Sequence, residues 1–193
     1  MNKSRLEAFS DGVLAIIITI MVLELKIPHG DDWTAFQHLG PKFVSYIISF
    51  IYVAIYWNNH HHMIQTVKHV TGSILWANTH LLFWLSLVPF VTAWAGENHF
   101  SKLPMAAYSF VLLMAAIAYF ILSKVIVNVH GKDSVLSSAI GSDWKGILSI
   151  VGYTLAVAFA FVLKEISLFI IVAIAMVWLI PDRRIERKLK EKE

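Results

Sequence analysis

Cysteine is absent from the 193 residues, which excludes disulfides, thiolate metal sites and a cysteine nucleophile. Charge is scarce as well: Asp, Glu, Lys and Arg make up 15% of the chain, against 58% hydrophobic residues. A soluble domain of this length has too little interior to hide that much apolar surface. A bilayer supplies a second apolar solvent. The small net charge, +3 at pH 7, is not spread over a soluble surface. It gathers at the ends of apolar runs, the pattern of membrane topology, so no nucleic-acid partner is expected. The chain has no phosphate-binding loop, G-x-S-x-G, dinucleotide fingerprint, H-E-x-x-H or T-V-G-Y-G stretch, which weighs against an enzyme and against a carbonyl-lined filter. It has no internal repeat either, so any central pore or cavity must come from association of several copies.

What is present is a series of apolar runs near the roughly 20 residues that a spanning helix needs. The first extends from Phe9 to Ile27 and is broken by Pro28, His29, Gly30, Asp31 and Asp32. Asp11 at its start, its length and the lack of a small-residue cleavage site argue against a signal peptide. The second covers Phe43 to Trp57 and continues to Met63 through the polar cluster Asn58 to His62. The third covers Ile74 to Ala95, with Pro89 expected to kink it. The fourth covers Leu103 to Val129. A Ser- and Gly-rich loop, Gly131 to Asp143, precedes the fifth, Ile147 to Leu163. Lys164 and Glu165 form a tight turn before the short sixth, Ile166 to Ile180, which stops at Pro181. The expectation is an all-α integral membrane protein: six transmembrane helices in one domain over residues 1–181, then a charged, helical tail over 182–193.

Orientation follows from the basic residues of the short loops. With the N-terminus inside, Lys3, Arg5, Lys68, Lys124, Lys132, Lys145, Arg183, Arg184, Arg187, Lys188, Lys190 and Lys192 lie inside, and Lys26, Lys42, Lys102 and Lys164 outside. That distribution puts both termini in the cytoplasm, and the expected location is the cell membrane.

The first run carries the most information. Arg5 and Asp11 lie at the membrane boundary, where a charge needs a partner or water. Six residues apart, they face different sides of a helix and cannot pair as an i,i+4 couple. Either each meets a partner on another helix, or Ser10 or Asp11 caps the helix while Arg5 snorkels to lipid phosphates. Ile16, Ile20 and Leu23 recur at i, i+4 and i+7 on one face. Thr19 lies beside them, free to bond its own helix carbonyls. Taken alone, such a stripe reads as packing against a helix or lipid. His60, His61 and His62 point in three directions, which makes no chelating face and no zinc site. Asn78 and His80 open the third run, where Asn78 suits a hydrogen bond across helices. Tyr52, Tyr56, Trp57, Trp76, Trp84 and Trp94 suit interface anchoring.

The run Arg5-Leu6-Glu7-Ala8-Phe9-Ser10-Asp11-Gly12 resembles the R-x-x-x-F-S-D signature of the transmembrane-protein-175 family of potassium channels, in its prokaryotic form. Trp57-x-x-His60 and the stretch from Asn78 to Pro89-Phe90 are similar to that family too, and the resemblance extends over the six-helix layout. It implies one six-helix repeat per chain, a homotetramer around a central pore lined by the first helix, and a constriction of apolar side chains. Animal members carry two repeats and pair as dimers. By position relative to the motif, Ile16, Ile20 and Leu23 would form the constriction and Thr19 a polar layer. Arg5, Phe9, Ser10, Asp11, His60 and Asn78 would hold the first helix in place. The implied function is a potassium-selective channel whose constriction acts as gate and selectivity region, with no cofactor beyond permeant K+. Glu24 near the outer mouth would attract cations.

Three rival readings make different demands on the residues. A proton-coupled secondary transporter would use Asp11 and His60, with Asn78, as a proton relay, although no pair of broken helices in matching halves is visible. A membrane enzyme would need the histidines to hold a metal. A purely structural subunit would have no activity of its own.

Overall fold

The computed structural model describes residues 2–28, 30–131, 134–140 and 143–179, and all regular structure among them is helical. The helices, in chain order, are α1 (Lys3–Leu23), α2 (Trp33–Gln37), α3 (Gly40–Gln65), α4 (Gly72–Ser86), α5 (Val88–Glu97), α6 (Lys102–His130), α7 (Val135–Ile140), α8 (Trp144–Val162) and α9 (Lys164–Leu179). Four stretches are long and apolar enough to cross a bilayer: Lys3–Leu23, Gly72–Glu97, Lys102–His130 and Trp144–Val162. The 26-residue α3 ends in polar residues, and α9 has 16 residues. At 1.5 Å rise, α9 spans about 24 Å against a hydrocarbon layer of about 30 Å.

The boundaries have local causes. Asn2 caps α1, its side-chain oxygen accepting from Ser4 N at 3.3 Å. Ser10 and Asp11 are therefore interior to the helix and do not cap it. The apolar run begins at Phe9, but the charged turn before it continues the same helix. Pro41 occupies the first turn of α3, where its missing N–H is no loss. Pro89 divides the third run at Leu87 into α4 and α5, as expected of a residue that cannot donate to the preceding turn. The turn expected at Lys164 and Glu165 lies instead at Leu163 alone (φ −137°, ψ 86°). Both charged residues open α9, where Glu165 complements the N-terminal dipole. The loop from Gly131 to Asp143 contains α7, and the polar turn after the first run is followed by α2. Both are helices of six residues or fewer, too short to leave a periodic signature. Ile180 and the tail over 182–193 lie outside the described residues.

Helix α6 is the centre of the bundle. It packs against α4, α5, α8 and α9, and α8 packs against α9. Ala115, Ala118, Ala156 and Ala160 are fully buried. Small side chains of this kind let α6 and α8 approach closely, the usual basis of helix association in lipid. On the other side α3 packs against α5. Gly96 marks their closest approach: a Cβ there would lie 2.5 Å from Ser45 Oγ and 2.8 Å from Lys42 Cα. Buried hydroxyls tie these helices together, with Ser49 Oγ 2.8 Å from Tyr108 OH and 2.6 Å from Thr92 Oγ1. Tyr52 is buried and bonds the Ile171 carbonyl, so it is no interface anchor. Helix α1 packs against α3, α4 and α5.

Candidate functional site

Leu6, Ser10, Leu14, Ile17 and Met21 are the buried residues of α1. Their steps of three and four residues make one stripe facing α3, α4 and α5. The opposite side is uncovered. Ile16 is 58% exposed, Ile20 41% and Leu23 77%, and Thr19 is exposed between them. The helix is apolar on both faces, yet the chain covers only one.

A directed row of hydrogen bonds pins the covered face. Nε2 of His60 lies 2.7 Å from Asn78 Oδ1. An amide oxygen only accepts, so the imidazole donates. Asn78 Nδ2 then donates to Ser10 Oγ at 3.0 Å, and Ser10 Oγ donates to the Leu6 carbonyl at 2.9 Å. Ser10, His60 and Asn78 are all buried. The row joins α1, α3 and α4, and each polar atom in it has a partner, which a low-dielectric interior demands.

Asp11 takes another partner, with its Oδ1 accepting from Trp57 Nε1 at 3.0 Å. Asp11 and His60 thus form no hydrogen-bonded pair. The group between His60 and Ser10 is an amide, which does not pass a proton on as a hydroxyl or imidazole does. Among the described residues no direct hydrogen bond joins Asp11 to His60. Arg5 and Phe9 are exposed, and Arg5 makes no ion pair among the described residues. Of the expected set, the fold brings Ser10, His60 and Asn78 together, joins Asp11 to Trp57, and leaves Arg5 and Phe9 outside the cluster. His61 Nε2 binds the Gln65 side chain at 2.8 Å, and His62 Nδ1 is buried with no hydrogen-bond partner among the described residues.

Sequence reasoning missed several contacts of α1. The Lys3 ammonium donates to the Gln65 carbonyl at 2.8 Å, fastening the start of α1 to the end of α3. At the far end Glu24 terminates α1 and lines a small cleft with Lys42, Thr92 and Glu97. Glu97 pairs with Lys42 at 3.2 Å and Lys26 at 3.7 Å. Thr19 Oγ1 donates to the Ile16 carbonyl at 2.8 Å, so its hydrogen is engaged in the helix while its lone pairs remain on the uncovered face. A cavity of about 30 Å³ lies elsewhere, lined by Tyr56, Tyr119, Ser149 and Trp178 among others. It is large enough for about two waters, and no residue of α1 lines it.

Comparison with known proteins bears on this arrangement. Residues 5–89 match the family described as "Endosomal/lysosomal potassium channel TMEM175". The chain is 58% identical to a potassium channel of Chryseobacterium sp. (strain P1-3) over 191 residues, covering 99% of this chain and all of that protein. It is 36% identical to a potassium channel of Streptomyces collinus over 128 residues, 62% of each chain. Its fold is similar to the crystal structure of a lysosomal potassium-selective channel TMEM175 homolog from Chamaesiphon minutus. That likeness has a TM-score of 0.82 and 26% identity, and covers 93% of this chain and 97% of the other.

Proposed function

The chain belongs to the TMEM175 family of ion channels, and from that footing we propose that it is a potassium channel acting as a homotetramer in the cell membrane. The family is not one of enzymes, and the only ligand the mechanism requires is the permeant K+. In this reading each chain crosses the membrane six times, with α1, α3, the α4–α5 pair, α6, α8 and α9 as spans. Both termini are cytoplasmic, residues 1–181 form the channel and 182–193 a tail.

The observation that carries the proposal is the uncovered apolar face of α1 opposite the face anchored through Ser10. Four copies of that face around an axis make a pore whose narrowest part is Ile16, Ile20 and Leu23. Rings of that composition are too apolar for water to fill readily and gate by dewetting. Widening lets a cation pass with part of its hydration shell. Sodium holds its water more tightly than potassium, so partial stripping costs sodium more. The Thr19 oxygens, with lone pairs toward the axis, replace part of the lost shell. Ser10, Asp11, His60 and Asn78 position the helix, and Glu24 raises the local cation concentration at the outer mouth.

Single-channel recording in planar bilayers with potassium on one side and sodium on the other tests this. Discrete steps reversing toward the potassium equilibrium potential are expected, and Ile16→Asn should wet the constriction and raise conductance or relax selectivity. Unchanged conductance and selectivity in that variant would assign the uncovered face to lipid instead.

A further inference from the structure

Residues 66–71 connect α3 to α4, the helices that carry His60 and Asn78. Peptide groups in such a link need partners outside regular structure. Two successive ones, the N–H groups of Lys68 and His69, converge on a single atom, Nε2 of His130 at the end of α6, at 3.1 and 3.4 Å. The other ring nitrogen, Nδ1, lies 3.0 Å from the Ile126 carbonyl oxygen. These partners fix the chemical state of the ring. A carbonyl only accepts, so Nδ1 carries the hydrogen. An N–H only donates, so Nε2 offers its lone pair. His130 clamps the link only as neutral imidazole. A second proton would turn Nε2 into a donor facing two donors. It would also place a charge against the His69 ring, 4.6 Å away between centroids, and beside Lys68.

The clamp bears on α1 through both of its fastenings near the N-terminus. Gln65, which accepts from Lys3, is the last residue before the clamped link. His60 and Asn78, which hold Ser10, lie on the two helices the link joins. We propose that His130 is a proton-sensitive latch on the position of α1, closed when the ring is neutral and released when acid protonates it. The effect on conduction rests on α1 being the pore helix.

Other titratable groups around the link are accounted for by element. Lys68 and His69 belong to it. On α3, His61 binds the Gln65 amide. On α1, Lys3 and Glu7 are 4.0 Å apart. On α6, Lys124 turns back over the Phe120 ring at 5.0 Å. Helix α7 carries none, and at the start of α8 Asp143 accepts from the Gly146 N–H while Lys145 lies over the Trp178 ring. Lys132 and Asp133 lie outside the described residues.

The test uses full-length protein, in planar bilayers for current and in nanodiscs for amide hydrogen exchange. Acidifying the side that carries the N-terminus from about pH 8 to about pH 5.5 spans imidazole protonation. In the wild type this should change open probability by at least about fivefold, the lower end of ordinary coupling between sites. It should also raise exchange at residues 66–71, corrected for the intrinsic pH dependence of exchange. In His130→Gln, whose amide oxygen still accepts but does not protonate, both responses should flatten to within about twofold. In His69→Gln both should persist. An equal exchange response in wild type and His130→Gln overturns the latch. An exchange response that depends on His130 without a matching change in open probability overturns its link to α1. If no protein conducts, wild type included, the pore reading fails and exchange alone decides the latch. If His130→Gln does not fold, unchanged wild-type protection at 66–71 on acidification overturns it.

Discussion

Replacing Asn78 with alanine tests whether the row of hydrogen bonds at Ser10 holds α1, and the structure sets the scale. Asn78 is 1% exposed and makes two contacts to other helices, at 2.7 Å from His60 and 3.0 Å to Ser10. Hydrogen bonds between helices in membranes average about 0.6 kcal/mol with a maximum near 1.7. Loss of both gives about 1–3 kcal/mol, before the cavity left by the side chain is counted. The sharper quantity is the coupling between Ser10 and Asn78, because Ser10→Ala alone removes the acceptor of Asn78 Nδ2 without creating a large void. A double-mutant cycle of Ser10→Ala and Asn78→Ala should give about 0.6–1.7 kcal/mol of coupling. It is read by reversible unfolding in mixed micelles, where the change in unfolding free energy of each variant is measured directly. Additivity within about 0.3 kcal/mol, the range found for independent sites, would refute the claim that these two side chains act as one fastening.

Two further perturbations probe the edges of the site. Gly96→Ala puts a methyl group 2.8 Å from the Lys42 backbone and 2.5 Å from Ser45 Oγ; the overpacking should destabilise the fold by about 1–3 kcal/mol in the same unfolding assay, and an unchanged value would mean that α3 and α5 separate freely. Glu24→Gln should lower potassium conductance in dilute salt but not at about 1 M, where the Debye length shrinks to about 3 Å; an equal loss at both concentrations would exclude a role through surface potential.

Four of the expected spans, at Lys3–Leu23, Gly72–Glu97, Lys102–His130 and Trp144–Val162, were legible because an apolar run of about 20 residues has few other uses. The break at Leu87 was legible too, because Pro89 announces it. The caps were not. Expecting Ser10 or Asp11 to cap α1 treats the edge of the apolar run as the edge of the helix, while Lys3 to Ala8 continue the same hydrogen-bond ladder behind Asn2. The cluster of Ser10, His60 and Asn78 could be anticipated only by resemblance, since spacing cannot bring together side chains separated by 50 and 18 positions. The partners Trp57 for Asp11 and His130 for the α3–α4 link depend on how each helix is rotated in the bundle. Helix rotation in turn depends on packing that residue types alone do not specify. The faces of α1 were ambiguous for a related reason: both are apolar, so periodicity does not distinguish packing, lipid and pore.

The placement of the anchor along α1 has a mechanical consequence for the proposed pore. Ser10 lies near the start of the helix, and at 1.5 Å rise per residue Ile16, Ile20 and Leu23 stand about 9, 15 and 20 Å beyond it. Between the anchor and that far end Ile16, Thr19, Ile20 and Leu23 are exposed, so a tilt about Ser10 costs little intrachain packing on that side. A tilt of about 5° moves Ile16 by about 0.8 Å and Leu23 by about 1.7 Å, from the same rise per residue. In a fourfold ring the change in diameter is about twice each displacement: about 3.4 Å at Leu23, more than the roughly 2.8 Å diameter of a water molecule, and about 1.6 Å at Ile16, well short of it. Dewetting responds steeply to radius on that scale, so a small tilt of a pinned helix is enough to switch the outer rings between dry and wet while the Ile16 ring stays narrow. Loosening the anchor by Asn78→Ala should therefore change open probability more than it changes selectivity. A variant that lost selectivity with open probability unchanged would place the fastening at the Ile16 ring instead of the pivot.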